Sequence, residues 1–101
     1  MAEIEYYKLQ VGKHKGKHYE EVDMDYLMWY LYNVKDINRK LKDKLESHLF
    51  DNYLLKFGKY KGDPIGVVHI HGGNYLEWLY DKVTDANLKK FIGSIYGKES
   101  N

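Results

Sequence analysis

Lysines spaced two apart between glycines occur twice in this chain, as Gly12-Lys13-His14-Lys15-Gly16-Lys17 and as Gly58-Lys59-Tyr60-Lys61-Gly62. Glycine lets backbone N–H groups come close to an anion, lysine supplies charge, and a ring between the lysines can stack on a base. Lys13, His14, Lys15, Lys17, Lys59, Tyr60 and Lys61 are therefore the candidate contacts to a DNA or RNA backbone. Such contacts predict modest affinity, strong salt dependence and little sequence preference. The same composition also suits an ordinary solvated turn. A solvated turn, however, has no electrostatic need to keep both lysines in both places. Neither segment is a phosphate loop of the nucleotide-hydrolase kind, which is longer and ends in Lys-Ser or Lys-Thr.

Other chemistry is harder to assemble. His69-Ile70-His71 would put two imidazoles on one face of a strand, and His14 and His18 stand four apart across a turn. A metal site needs three or four converging ligands, so no metal or other cofactor is expected. Glu20, Glu21, Asp23 and Asp25 are close in sequence, and clustered carboxylates are what a metal-dependent nuclease uses. These four read instead as strand-exposed and capping residues, and most have no acidic counterpart in the second lysine segment. The chain has no cysteine, which excludes a disulfide framework, a thiol nucleophile and a thiolate metal site. Ser47, Ser94 and Ser100 fall in helices or the tail without a convincing base. No set of residues outlines an active site, so a non-catalytic protein is expected.

The two lysine segments belong to a longer internal repeat. Position 58 follows position 12 by 46 residues, and Leu9-Gln10-Val11 before the first segment matches Leu55-Lys56-Phe57 before the second. Further on, Tyr26-Leu27-Met28-Trp29 matches Tyr75-Leu76-Glu77-Trp78 at a separation of 49, so the second copy carries three extra residues, most simply within His71-Gly72-Gly73. Asp36-Ile37-Asn38 then echoes Asp85-Ala86-Asn87. Ordered matches at nearly constant spacing indicate duplication, and two copies are too few for a solenoid, so the copies are expected to pack on one another.

The elements that would position the lysines follow from periodicity. Residues 5–11 alternate, with Tyr7, Leu9 and Val11 on one side, which predicts a half-buried strand. Gly12–Gly16 turns the chain, and residues 17–22 return as a second strand. Asp23 caps a helix through about Asn33 with Leu27, Tyr30, Leu31 and Val34 inward; Asp36 or Asn38 opens another to about Phe50 with Ile37, Leu41, Leu45 and Leu49 inward. The second copy repeats this plan. Tyr53–Phe57 and Ile65–Ile70 are strands, with Pro64 shaping entry to the second. Leu76, Leu79, Tyr80 and Val83 line one helix; Thr84 or Asp85 caps a last helix with Leu88, Phe91, Ile92 and Ile95 inward. Gly97 is a natural stop before a frayed tail, Lys98–Asn101. Trp29 and Trp78 are expected to fill core space between helices and sheet, while Tyr6, Tyr19, Tyr32 and Tyr60 fall off the apolar stripes and suit stacking or an interface. The predicted fold is α+β: two pseudo-repeats, about 5–50 and 53–97, each a β-hairpin followed by two α-helices, packed as one compact domain over 1–101. Whether the hairpins join into one sheet or each rests on the other's helices is left open by the sequence.

Val11-Gly12-Lys13-His14-Lys15-Gly16-Lys17, then Val22, then Tyr26-Leu27-Met28-Trp29 resembles the pattern of the C-terminal domain of exodeoxyribonuclease X-like proteins, shared with the quorum-sensing-regulated virulence factor family. The second copy departs at Asp63, where that pattern favours lysine, and in His69–Gly73; neither copy has the usual proline just before its Tyr-Leu-x-Trp. The resemblance implies an accessory module that handles nucleic acid or docks partners and brings no catalytic residues. A free-standing double copy also looks like the small accessory proteins that bacteriophages encode.

Bulk properties set the remaining bounds. A hydrophobic share of 44% and an aromatic share of 16%, with eleven tyrosines, exclude disorder for most of the length. A net charge of +1 excludes an acidic nucleic-acid mimic and confines any electrostatic argument to local patches. Met1–Glu5 is too polar for a signal peptide, and no apolar run is long enough to span a bilayer, so a cytoplasmic protein with no membrane partner is expected. Near-neutral charge and surplus tyrosine also fit a second expectation, a protein-interaction module acting on a nuclease, helicase or polymerase.

Overall fold

A computed structural model describes residues 6–97. They form five helices: α1 (Met24–Asn33), α2 (Arg39–Asn52), α3 (Ile65–His71), α4 (Tyr75–Lys82) and α5 (Ala86–Ile95), with a 3-10 turn at Tyr19–Glu21. The chain divides into two compact units, Met1–Leu49 and Phe50–Asn101, the boundary falling within α2. No described helix is long and apolar enough to cross a membrane.

In the first unit, Asp23 caps α1 by accepting from the Tyr26 N–H at 3.0 Å, and α1 buries Leu27, Met28, Tyr30 and Leu31. Asp36 takes a positive φ of 57°, a conformation that aspartate tolerates better than most residues. Asn38 Oδ1 then accepts from Lys40 N–H at 2.8 Å and Leu41 N–H at 3.4 Å to start α2. Leu41, Leu45 and Leu49, stepping by four, are each wholly buried. The solvent side of α2 is lysine-rich, and two of its lysines lie over tyrosines of the chain start: Lys40 Nζ is 4.8 Å from the Tyr6 ring centre and Lys44 Nζ 5.5 Å from that of Tyr7.

In the second unit, α4 packs against α3 and α5. Asp85 Oδ1 caps α5 through the N–H groups of Asn87 (2.9 Å) and Leu88 (3.0 Å). Leu88, Phe91 and Ile92 are buried, and Gly97, at φ 70°, follows the end of the helix. His69 on α3 lies between Phe50 and Tyr96, with ring centres at 5.8 and 5.4 Å and its Nδ1 3.3 Å from the Tyr96 hydroxyl.

The expected α+β class is overturned: about 59% of the described residues are helical, and among them there is no sheet. Each expected hairpin shrinks to a single antiparallel bridge, Lys8 to His18 and Leu54 to Pro64. Residues 17–22 do not return as a strand because His18 and Glu21 form a capping box. The Glu21 carboxylate accepts from His18 N–H and the His18 ring from Glu20 N–H, both at 3.2 Å, which nucleates the 3-10 turn. Ile65–Ile70, rich in β-branched residues, is helical because its surroundings decide against its strand propensity. Pro64, extended at φ −63°, serves as N-cap, and Ile65 and Val68 are buried one turn apart. Gly66 between them lets α3 close on Phe50. The alternation in 5–11 also fails, since Leu9 is buried while Val11 is 47% exposed. Glu5 and the Lys98–Asn101 tail lie outside the described residues.

The three residues added in the second copy are thus used to extend a 3-10 turn into the two turns of α3. Gly66 makes this packing testable. A Cβ there would stand 2.8 Å from the Phe50 carbonyl oxygen and 2.9 Å from its Cε2. Alanine gains about 1 kcal/mol of helix propensity over glycine, but overpacking against backbone costs about 1–3 kcal/mol. Gly66→Ala is expected to lower stability in urea unfolding by a net amount of up to about 2 kcal/mol, while Val67→Ala on the exposed side changes it by less than about 0.5 kcal/mol. A Gly66→Ala protein more stable than the parent by the full helix-propensity gain of about 1 kcal/mol would refute the close approach.

Candidate nucleic-acid interface

The two lysine turns are built alike, bond for bond. In the first, Leu9 N–H donates to Lys17 O (2.9 Å), Gly16 N–H to Leu9 O (2.8 Å), Lys15 N–H to Gly12 O (3.1 Å) and Lys17 N–H to His14 O (3.1 Å). In the second, Leu55 donates to Asp63 O (3.0 Å), Gly62 to Leu55 O (2.8 Å), Lys61 to Gly58 O (3.2 Å) and Asp63 to Tyr60 O (3.0 Å). The bounding glycines hold left-handed φ values of 88° and 90° in one turn, 82° and 92° in the other, a region that side chains disfavour by about 1–2 kcal/mol. Both turns close on a buried leucine, Leu9 or Leu55. Because three successive N–H groups are spent on the turn's own carbonyls, a phosphate must be met here by lysine side chains rather than by a cradle of those amides.

Each turn is seated on the tyrosine of its Tyr-Leu-x-Trp helix. A Cβ at Gly12 would stand 2.5 Å from the Tyr26 hydroxyl, and one at Gly58 still closer to that of Tyr75. The ring at the middle of each turn meets the same tyrosine edge-on: His14 to Tyr26 at 4.7 Å and 88°, Tyr60 to Tyr75 at 4.8 Å and 73°. The tyrosine in turn leans on the tryptophan one helical turn later, with centres 5.5 Å apart in both copies and tilts of 42° and 38°.

The sequence-predicted contacts fall into two groups. Lys13, Lys15, Lys17, Lys59 and Lys61 are exposed, and none forms an ion pair with a described acid. Lys13 Nζ lies 5.4 Å from the Tyr26 ring centre and Lys59 Nζ 5.5 Å from that of Tyr60. His14 and Tyr60 are half-buried and engaged with Tyr26 and Tyr75, so they brace the turns rather than stand free for a base. Lys17 and Asp63 occupy the same place with the same backbone bonds and opposite charges.

The tryptophans correct the expectation of a core role: Trp29 is 44% exposed and Trp78 51%. Beside the turns, Val11 and its counterpart Phe57 are also exposed. The signal is present in the period, since Trp29 lies two residues from both Leu27 and Leu31 and so faces away from that stripe. Of the tyrosines singled out for stacking, Tyr19 belongs to a ring cluster with His18 (4.7 Å, stacked), His48 (5.1 Å) and Tyr7 (6.3 Å), and Tyr6 faces Lys40.

The remaining candidates do not converge. His69 and His71 lie on a helix, not a strand, where two residues apart means different faces, and His71 is exposed. Among the described residues no three His, Asp or Glu side chains are placed to hold a metal ion. Glu21 and Asp23 are occupied as caps.

Two outcomes follow from this geometry. Gly12→Ala and Gly16→Ala share the left-handed φ, but only Gly12→Ala also meets the Tyr26 hydroxyl, since nothing lies within 4 Å of a Cβ at Gly16. Gly16→Ala is expected to cost about 1–2 kcal/mol and Gly12→Ala more. Combining each with Tyr26→Phe in a double-mutant cycle should bring the two costs together; equal costs in the parent would contradict the seating. The second outcome concerns pH. Burial pushes the Tyr19 phenol up, with the Glu20 charge adding to it, and burial with the Glu77 charge does the same for Tyr96. A folded-state pKa above the unfolded value gives stability that is present below about pH 10 and lost as pH rises beyond it. Tyr19→Phe and Tyr96→Phe should each flatten that alkaline loss in pH-dependent unfolding.

Comparison of the chain with protein-family models, with curated proteins and with solved structures finds no match.

Proposed function

We propose that this chain is a non-catalytic, nucleic-acid-binding accessory protein that meets the phosphate backbone through its paired Gly-Lys-x-Lys-Gly turns. The observation carrying this reading is that two turns with the same backbone bonds both present exposed lysines at their second and fourth positions, while the sixth position is Lys17 in one and Asp63 in the other. The backbone bonds tolerate either charge at that sixth position, so the fold does not dictate charge along the turn. The retained lysines are then best accounted for by an anionic ligand. The resemblance of the Gly-Lys-x-Lys-Gly and Tyr-Leu-x-Trp pattern to modules attached to nucleases supports the same reading.

Leu54, Val67 and Ile70 favour a second reading, an inhibitor or adaptor docking on a nucleic-acid-processing enzyme. They are exposed on the second unit, the last at 69%, and the first unit has Lys8 in place of Leu54 and no α-helix in place of α3.

Fluorescence anisotropy with labelled DNA and RNA, at low and physiological salt, tests the first reading. Saturable binding is expected, with log affinity falling linearly against log salt. Replacing Lys13, Lys15, Lys59 and Lys61 together by alanine should weaken binding and lower the slope by about 0.7–0.9 for each phosphate that is no longer neutralised. An unchanged slope would reject these lysines as the phosphate-binding groups, and absence of binding at low salt would leave the docking reading in its place.

A further inference from the structure

Each turn adjoins a large aromatic ring that the fold leaves in water. Tryptophan is on average strongly buried, yet the only two in the chain stand 44% and 51% exposed at equivalent places. Each is braced on one side by the tyrosine that seats the lysine turn, so its orientation is held while much of its surface is open. In the first copy two spans in series, 5.4 Å from Lys13 Nζ to the Tyr26 ring and 5.5 Å from that ring to Trp29, bound the separation of ammonium and indole. That is within about three nucleotides at the ~3.4 Å rise of one strand.

We infer that the ligand is single-stranded nucleic acid, with unpaired bases stacking on Trp29 in the first unit or on Trp78 in the second while phosphates meet the lysines of the same unit; this rests on the nucleic-acid reading above. A held aromatic ring beside exposed cations is the arrangement that binds unpaired bases with little sequence preference, because every base has a π-face. In a duplex those faces are stacked on one another and only phosphates and groove edges remain to be met. The exposed rings would then contribute nothing. The first copy should dominate, since its turn carries Lys13, Lys15 and Lys17, whereas the second carries Lys59 and Lys61 with Asp63, and Glu77 precedes Trp78.

Because the two indoles are the only tryptophans, intrinsic fluorescence reports directly on the proposed platforms. The full chain is titrated at low salt with an oligo(dT) and an oligo(rU) of about 15 nucleotides, the upper end of the site size expected for such a platform, and with a DNA duplex of the same length. Saturable quenching by one or both single strands is expected, with single-strand affinity on the order of tenfold above duplex affinity; the two strands separate DNA from RNA as the source of the bases. Trp29→Ala should weaken single-strand binding by roughly five- to a hundredfold and leave duplex binding within about twofold, with a smaller loss for Trp78→Ala. Trp29→Phe, which keeps a stacking face, should retain most of the affinity, and an unchanged helical circular dichroism spectrum checks folding of each variant. Equal lysine-dependent binding of single strand and duplex without quenching would overturn this inference and leave the backbone-binding reading standing. No binding of any probe would overturn both.

Discussion

The Tyr26 hydroxyl occupies the space that a side chain on Gly12 would need, and the Tyr75 hydroxyl does the same at Gly58. Most of each module depends on that contact. It requires glycine at the start of the turn, where the backbone is also left-handed. It fixes the helix under the turn, so that the ring at the turn's centre meets the tyrosine edge and the tryptophan three residues later is placed outside. Two short motifs that look independent in the sequence are the two halves of one contact. Their spacing can therefore differ, 14 residues from position 12 to 26 and 17 from position 58 to 75, without altering the geometry at either end.

Much of this is legible in the residues. The repeat, the left-handed glycines, the caps at Asp23 and Asp85 and the leucine stripe of α2 all follow from local chemistry, and local chemistry is what a sequence displays. The expected sheet fails because Leu9 and Leu55 do look like strand residues, yet each closes a loop with its own turn instead of opening a ladder. The box formed by His18 and Glu21 is visible as a cap spacing but uses histidine where serine or threonine is usual. The helix at Ile65–His71 cannot be read locally at all, because its cause is a glycine lying against Phe50, a residue on the far side of the intervening lysine turn. Size alone argues for inward tryptophans, whereas the helical period already places them outward.

The two copies have diverged in what surrounds the shared contact rather than in the contact itself. Gln10 N–H donates to the Tyr30 hydroxyl at 3.0 Å in the first unit, whereas the equivalent of Tyr30 is Leu79, which has no hydroxyl. In the second unit the place of the 3-10 turn is taken by the longer α3, and with it come Val67 and Ile70 on the outside and His69 between Phe50 and Tyr96. One copy is richer in cations at its turn and the other in apolar surface beside it. Such a division lets a duplicated module keep one architecture while its two surfaces change separately.

Two notches and two hydroxyls of the same shape also mean that the unfolded chain can pair them wrongly. Gly12 fits Tyr26, but nothing in the local geometry distinguishes Tyr75, and Gly58 stands in the same relation to Tyr26. Chain length separates the cases. The native pairings close 14 and 17 residues, while the exchanged ones close 63 (12 to 75) and 32 (26 to 58). Loop entropy growing as (3/2)RT ln n disfavours the exchanged pairings by about 1.3 and about 0.6 kcal/mol respectively. Correct assembly of this duplicated chain is thus biased by proximity along the backbone, and shortening the path between the copies would erode that bias.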